Sequence, residues 1–184
     1  PTRSAALSQG PPAALRSLAD LDTGERPYSV LIASYVRWED ALDHVDELER
    51  ASTDAVFIAP TPVRQRVYYR VLSGALRDAA AADQFMQELV SSGRKEEYRR
   101  WDMRPVRLAY VIGDFRTLAE AYAEKSRLRG DRIPAYVLRG GSNGLPYRVY
   151  SGAFESTSAA ADLGLRLRQA GHDVQLEQRR GTHP

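Results

Sequence analysis

Residues 68–76 read YYRVLSGAL, and residues 146–154, which lie 78 positions later, read PYRVYSGAF. Apolar and polar residues alternate through the shared Tyr-Arg-Val-x-Ser stretch, and this alternation predicts a half-buried β-strand. A glycine follows in both copies, at Gly74 and at Gly152. Glycine permits the positive φ or the close backbone approach with which a strand can end. The stretch is therefore an internal repeat whose unit begins with a strand and a glycine turn.

Each copy continues into a helical pattern. Apolar or small residues recur at helical spacing from Ala82 to Leu89, and again 78 positions later from Ala160 to Leu167. A glycine follows each pattern, Gly93 in the first copy and Gly171 in the second. Glycine in the left-handed conformation is a common helix C-cap. Strand, glycine turn and capped helix thus form one duplicated unit.

The repeat also extends towards the N-terminus. Residues 32–35 (IASY) match residues 112–115 (IGDF), and an amphipathic run follows each of them. Each copy is then ordered strand, helix, strand, strand, helix, with room for a last strand. This βαββαβ order predicts an α+β fold in which two helices cover one face of an antiparallel sheet and leave the other face open.

The repeat divides the chain into four segments. We expect an N-terminal tether with a short helix at 1–27, a first repeat at 28–103, a second at 104–177 and a tail at 178–184. The sequence starts at Pro1 with no apolar leader, so either a signal or anchor has been removed or the chain is an excised fragment.

Two parts of the first repeat are less regular. Pro60-Thr61-Pro62 predicts a loop between the second and third strands. The fourth strand should fall at 94–99, but this stretch is highly charged. Either the first sheet lacks that strand, or Tyr98 and Trp101 anchor it within the connection that ends at Pro105.

Composition excludes several classes of protein. Hydrophobic residues make up 43% of the 184, but no apolar run approaches the ~20 residues of a membrane span. The chain has no cysteine, so disulfides and thiolate chemistry are absent. The formal charge is only +2, from 26 basic and 24 acidic residues, and this near balance disfavours a nucleic-acid partner.

No catalytic or metal site is recognisable. The three histidines, His44, His172 and His183, lack a second ligand at helical spacing, so neither a zinc site nor a catalytic triad is indicated. The glycine-rich stretch 140–144 lacks the Lys-Ser/Thr of a phosphate-binding loop and is expected to be a hairpin turn. We therefore expect no enzyme, no cofactor and no bound metal.

The duplicated unit resembles the sporulation-related repeat, or SPOR domain. The resemblance covers about residues 28–177 and rests on the following features: the strand ends Ala33-Ser34-Tyr35 and Gly113-Asp114-Phe115, the Tyr-Arg-Val strands, the steps Gly74-Ala75-Leu76 and Gly152-Ala153-Phe154, and the helix-ending glycines. It implies two ferredoxin-like repeats in the periplasm or cell envelope of a bacterium. It further implies a non-enzymatic protein that binds peptidoglycan glycan strands stripped of their peptides, often at sites of cell division.

The resemblance also implies site residues on the open sheet face. Ser34, Tyr68 and Arg70 in the first copy, and Arg148 and Tyr150 in the second, are the expected glycan contacts. The second copy departs from the family pattern, because Asp114 replaces the serine there. This aspartate could neutralise Arg148, so we expect Arg70 to be the more important contact.

The same faces carry apolar residues, and two of them, Leu31 and Val111, stand where the family often has glutamine. By strand alternation Leu31, Leu72, Val111 and Tyr150 should all face away from the helices. A contiguous apolar patch is costly in water, which suggests that the sister repeat or an envelope partner covers it. The alternative function is therefore a protein-interaction module of an envelope assembly. RNA binding is less well supported, because the RNA-binding signature is missing. A small-molecule regulatory module is the remaining alternative.

Overall fold

The computed structural model of the chain describes residues 24–52 and 54–184. Within these residues lie two four-stranded antiparallel sheets, each with two helices, so the predicted pair of α+β repeats is confirmed. The short helix expected near Pro12 lies outside the described residues.

The two repeats have the same order of elements. The first contains β1 (Tyr28–Tyr35), α1 (Trp38–Ala51), β2 (Val56–Val63), β3 (Arg66–Leu76), α2 (Ala79–Ser91) and β4 (Met103–Pro105). The second contains β5 (Leu108–Phe115), α3 (Leu118–Gly130), β6 (Tyr136–Arg139), β7 (Tyr147–Phe154), α4 (Thr157–Gln169) and β8 (Gln175–Gln178). Strand order is β2-β3-β1-β4 in one sheet and β6-β7-β5-β8 in the other. The duplicated strands β3 and β7 therefore occupy equivalent places.

The fourth strand of the first repeat lies further along the chain than the sequence indicated. Residues 94–99 form turns and loop, and β4 pairs with β1 through Met103–Pro105. Tyr98 and Trp101 are not anchors, since they are 45% and 70% exposed. The buried contact comes instead from Lys95, whose Nζ lies 2.6 Å from Asp102 Oδ2 and 2.9 Å from the Leu31 carbonyl oxygen. This ion pair holds the connection against the sheet.

The proline stretch is strand, not loop. Pro60 and Pro62 lie within β2, opposite Tyr69 and Val67 of β3. Because β2 is the edge strand of its sheet, a residue without an N–H donor is tolerated there. The hairpin of the first repeat is consequently longer than that of the second, where β6 has four residues.

The C-terminal segment is not a free tail. Arg179 is completely buried, and Thr182 forms a β-bridge with Arg139 at the outer edge of β6. Since β8 lies at the opposite edge of this sheet, residues 179–182 cross its open face, and we call them the strap. Glu25 forms a second backbone β-bridge, with Arg180, so the end of the predicted tether also packs on the strap. The physical reason is that Arg179 finds backbone acceptors in the first repeat.

The repeats share one hydrophobic core. A single cluster of buried side chains includes residues from both sheets. A smaller cluster joins α2 to β1 through Met86, Leu89 and Val30. Ion pairs also join α1 to α3, with Lys125 Nζ 2.8 Å from Glu49 Oε1 and Arg129 Nη2 2.6 Å from Asp46 Oδ1. The two units are therefore packed against each other through both apolar and charged contacts.

Candidate functional site

Alternation along β3 assigns its side chains to two faces. Tyr69 contacts Trp38 of α1, with ring centroids 5.4 Å apart, so the odd-numbered residues from 69 to 73 face the helices. Tyr68, Arg70 and Leu72 therefore occupy the open face. The same reasoning places Arg148 and Tyr150 of β7 on the open face of the second sheet.

The first open face brings the expected glycan contacts together. Ser34 of β1 lies directly opposite Arg70 of β3, and Tyr68 is the next residue of β3 on that face. Ser34 is exposed, and Tyr68 and Arg70 are half-buried, so all three present surface to solvent. This row forms a polar strip with one aromatic ring at the hairpin end of the sheet.

A cleft of about 260 Å³ opens beside this row, between the first sheet and the second repeat. The first sheet contributes Thr61, Arg70, Leu72 and Arg104, and the corner between β7 and α4 contributes Glu155 and Ser156. Ser156 is the N-cap of α4 and accepts a hydrogen bond from Ala159 N. The cleft therefore exists only because the two repeats are docked.

Arg70 is the charged group at the inner end of this row. Burial lowers the pKa of Arg70 from its usual value, the nearby Arg104 lowers it further, and Glu155 opposes both effects. Arg104 pairs with Glu155 at 3.0 Å. Within the part of the chain that the structure describes, no hydrogen bond or ion pair joins Arg70 to another side chain. Its guanidinium is thus available to an outside acceptor.

The equivalent arginine of the second repeat, Arg148, is bonded to side chains of its own repeat. Arg148 Nε and Nη2 donate to Asp114 Oδ1 and Oδ2 at 2.6 and 2.8 Å, and Arg148 Nη1 donates to Glu177 at 2.9 Å. Ser142 completes the network with a 2.9 Å contact to Arg148 Nη2. The bonds to Asp114 raise the pKa of Arg148 above its ordinary value. Arg148 is therefore neutralised within the protein.

Tyr150 is inaccessible for a different reason. Its side chain is completely buried, and its hydroxyl oxygen accepts from Arg180 N at 3.2 Å and donates to Arg180 O at 3.3 Å. The strap thus lies over the face on which a sugar would have to stack. Neither Tyr150 nor Arg148 presents a binding surface in this structure.

The chain itself buries two of the four apolar residues predicted on the open faces, Leu72 and Tyr150, and partly buries the other two. Leu72 is 1% exposed, while Leu31 and Val111 are partly buried against the same core. Phe57, which lies opposite Leu72 in the first sheet, contacts Tyr136 of the second. Their apolar character therefore gives no separate support for a partner protein.

Sequence reasoning missed four residues that shape these faces. Arg104 was hidden because β4 was not located, and Arg179 was assigned to a tail. Glu155 and Ser156 follow the duplicated strand directly, and Glu155 stands where the first copy has Arg77. This charge reversal between the two copies can be seen in the sequence alone.

The described ranges, 24–52 and 54–184, contain neither a cluster of metal ligands nor a membrane-spanning helix. No group of three or more His, Cys, Asp or Glu side chains is placed to hold a metal ion. No helix there combines the length and the apolar character needed to cross a bilayer.

Comparison with known proteins agrees with the fold. The SPOR domain family model matches the chain twice in tandem, at residues 24–100 and 107–175. No curated protein and no solved structure matches the chain. SPOR domains are peptidoglycan-binding modules of bacterial envelope proteins, and the family binds its ligands without catalysing a reaction. The two matches span most of the sequence, and the chain belongs to the SPOR domain family.

Proposed function

We propose that this protein binds glycan strands of peptidoglycan that have lost their stem peptides, through the open face of its first repeat. Arg70, Ser34 and Tyr68 make the contact. The second repeat holds the first in place and does not itself bind. The periplasm is the expected compartment, because the ligand lies in the bacterial envelope.

The state of the two equivalent arginines carries this proposal. Arg70 is half-buried on a face that reaches solvent, whereas Arg148 is held by two carboxylates and a serine. A guanidinium has five N–H donors in a planar fork and can bond several sugar oxygens at once. Tyr68, on the same face, supplies an aromatic surface of the kind on which a sugar ring can stack. Among the residues that the structure describes, the open face of the first repeat thus combines a guanidinium without a side-chain partner and an aromatic surface for stacking.

A pull-down tests the proposal. The wild-type protein should be retained by purified denuded glycan strands and much less by intact sacculi, whose strands still carry peptides. Arg70→Ala should weaken retention by about 1–3 kcal/mol, the usual loss for a hydrogen bond to a charged group.

A matched control is Arg77→Ala, which removes the same side chain from an exposed position on the far side of Gly74. It should bind as wild type. Equal retention of wild type and Arg70→Ala would exclude this face as the binding surface. Failure of the wild type to bind denuded strands would exclude the function.

An envelope partner protein is the second candidate. Trp101 is 70% exposed on the connection between the repeats. Trp101→Ala should leave glycan retention unchanged and weaken capture of a protein partner, so the two functions can be separated in one variant.

A further inference from the structure

The cleft between the repeats has a cationic inner wall. Arg70 and Arg104 both line it, and Glu155 is the only carboxylate among its lining residues that the structure describes. The two guanidiniums are close enough that the Arg104 charge lowers the pKa of Arg70. One carboxylate facing two guanidiniums leaves a net positive charge in a cleft that is partly shielded from solvent.

Arg104 is also incompletely bonded. Its Nη2 pairs with Glu155 at 3.0 Å, but its Nε is buried and has no hydrogen-bond partner among the described residues. A buried N–H without an acceptor costs free energy comparable to a lost hydrogen bond. Glu155 is 48% exposed at its side chain, so this partner can move into solvent. The pair is therefore able to exchange Glu155 for another acceptor.

Size limits what can enter. The cleft volume of about 260 Å³ is below the roughly 300 Å³ at which pockets for whole small ligands begin. Its other walls include apolar side chains such as Leu72, Val106 and Phe154. A cleft of this kind fits a small anionic substituent with a short apolar base, and not a complete disaccharide.

Two guanidiniums favour a planar carboxylate. An arginine fork donates two parallel N–H···O bonds to a carboxylate, and these charge-assisted bonds are about twice as strong as neutral ones. An amide at the same position would offer one carbonyl oxygen and no charge. The cleft therefore distinguishes a free acid from its amide.

We propose that the cleft formed by Arg70, Arg104 and Glu155 is a carboxylate subsite for the muramyl acid group that is freed when the stem peptide is removed from a glycan strand. This rests on the proposed function. The stem peptide is attached to that acid through an amide bond, so peptide removal creates the free carboxylate. The arginines bind the acid, Glu155 swings out as it enters, and the sugar ring lies over Ser34 and Tyr68. The preference for stripped strands then follows from charge as well as from the absence of steric bulk.

The test uses one batch of denuded strands in two forms. One form keeps its free carboxylates, and in the other they are converted to methylamides with a carbodiimide and methylamine. Wild type should bind the methylamide form about tenfold or more weakly, since a charged hydrogen bond is worth roughly 1.5–3 kcal/mol and 1.4 kcal/mol is a factor of ten. The binding difference should shrink as salt is raised.

Two variants locate the subsite. Arg104→Gln should bind both forms equally, near the level of wild type with the methylamide form. Glu155→Gln keeps the shape of the cleft but removes the competing charge, so it should bind the free-acid form several times more tightly than wild type does. Circular dichroism establishes that each variant is folded, and Arg77→Gln serves as the control with unchanged discrimination.

The outcomes separate the subsite from the function. If wild type binds the acid and methylamide forms equally well, the carboxylate subsite is overturned while glycan binding stands. If Glu155→Gln binds the free acid no better than wild type does, Glu155 is not a competitor and the exchange is overturned. If wild type binds neither form, both the function and the subsite are overturned.

Discussion

The ring of Phe57 in the first repeat lies against the ring of Tyr136 in the second, with centroids 4.8 Å apart and planes inclined by 32°. Tyr136 in turn stacks on Tyr150 at 5.7 Å and donates a hydrogen bond to the Gly152 carbonyl oxygen at 3.0 Å. Phe57 and Tyr136 are 0% and 1% exposed. The open faces of two sheets thus meet through aromatic side chains, and the repeats form one packed body.

This contact predicts that the repeats unfold together. Phe57→Ala should lower the free energy of unfolding by about 3–5 kcal/mol, as expected for removing a buried phenyl ring. Urea denaturation measures the loss, and Val63→Ala, at a 39% exposed position of the same strand, should cost little. Amide hydrogen exchange provides the critical comparison. If amides of β5 keep wild-type protection in Phe57→Ala while those of β1 lose it, the repeats are independent units.

Arg179 is expected to be the main stabilising residue of the strap. Its Nε and Nη2 donate to the carbonyl oxygens of Arg26 and Tyr28 at 2.8 and 2.9 Å, and its guanidinium lies 5.4 Å from the centre of the Phe57 ring. Arg179→Met should cost about 1–3 kcal/mol, because buried carbonyls lose a charged donor. Thermal denaturation measures it.

The neighbouring residue supplies the control for this experiment. Arg180 has an exposed side chain, so Arg180→Met should change the melting temperature little. Equal melting temperatures for Arg179→Met and Arg180→Met would show that the strap adds no stability through Arg179.

The Arg148–Asp114 pair should make stability depend on pH. Burial by itself would raise the pKa of Asp114, but the hydrogen bonds from Arg148 and Ser142 outweigh it and hold that pKa below its ordinary value. A carboxyl whose pKa is depressed on folding stabilises the protein above its unfolded-state pKa of about 3.9, and this contribution is lost as pH falls through the folded-state value. Asp114→Asn should therefore be less stable than wild type at pH 7, by about 1–3 kcal/mol.

Urea midpoints measured from pH 7 down to pH 2 follow this contribution. The curves of wild type and Asp114→Asn should converge at the acid end, because the wild-type carboxyl is then protonated. A difference that stays constant over this range would exclude the charged pair as its source.

Removing only one partner of the Lys95–Asp102 pair should destabilise the protein strongly. Both side chains are less than 10% exposed, at 6% and 7%, so removing one leaves a buried charge without its partner. Lys95→Met should lose about 3–5 kcal/mol, and Lys95→Met combined with Asp102→Leu should recover much of this loss. Urea denaturation of wild type, the two single variants and the double variant gives the coupling free energy of the pair. If the losses of the two single variants simply add in the double variant, the two residues are not coupled.

The sequence alone determined the local structure and the duplication. Period-two alternation predicts the strands, period-3.6 apolar spacing predicts the helices, and Gly93 and Gly171 do adopt the left-handed φ expected of helix caps, at 72° and 85°. These features depend on residues a few positions apart. The order βαββαβ followed from them. The short strand β4 was not predicted, because three residues are too few to show a periodic pattern.

Only the tertiary structure decided which open face remains accessible. Leu72 and Tyr150 have the same place in their repeats, and neither shows by its type whether the sister unit or solvent will cover it. Arg179 reaches acceptors 153 and 105 positions away, at Arg26 and Gly74, and no local pattern encodes such a contact. Arg70 and Arg148 are likewise the same residue in the same strand. One reaches solvent and the other is neutralised by Asp114, because charge and burial depend on neighbours that only the folded chain brings together.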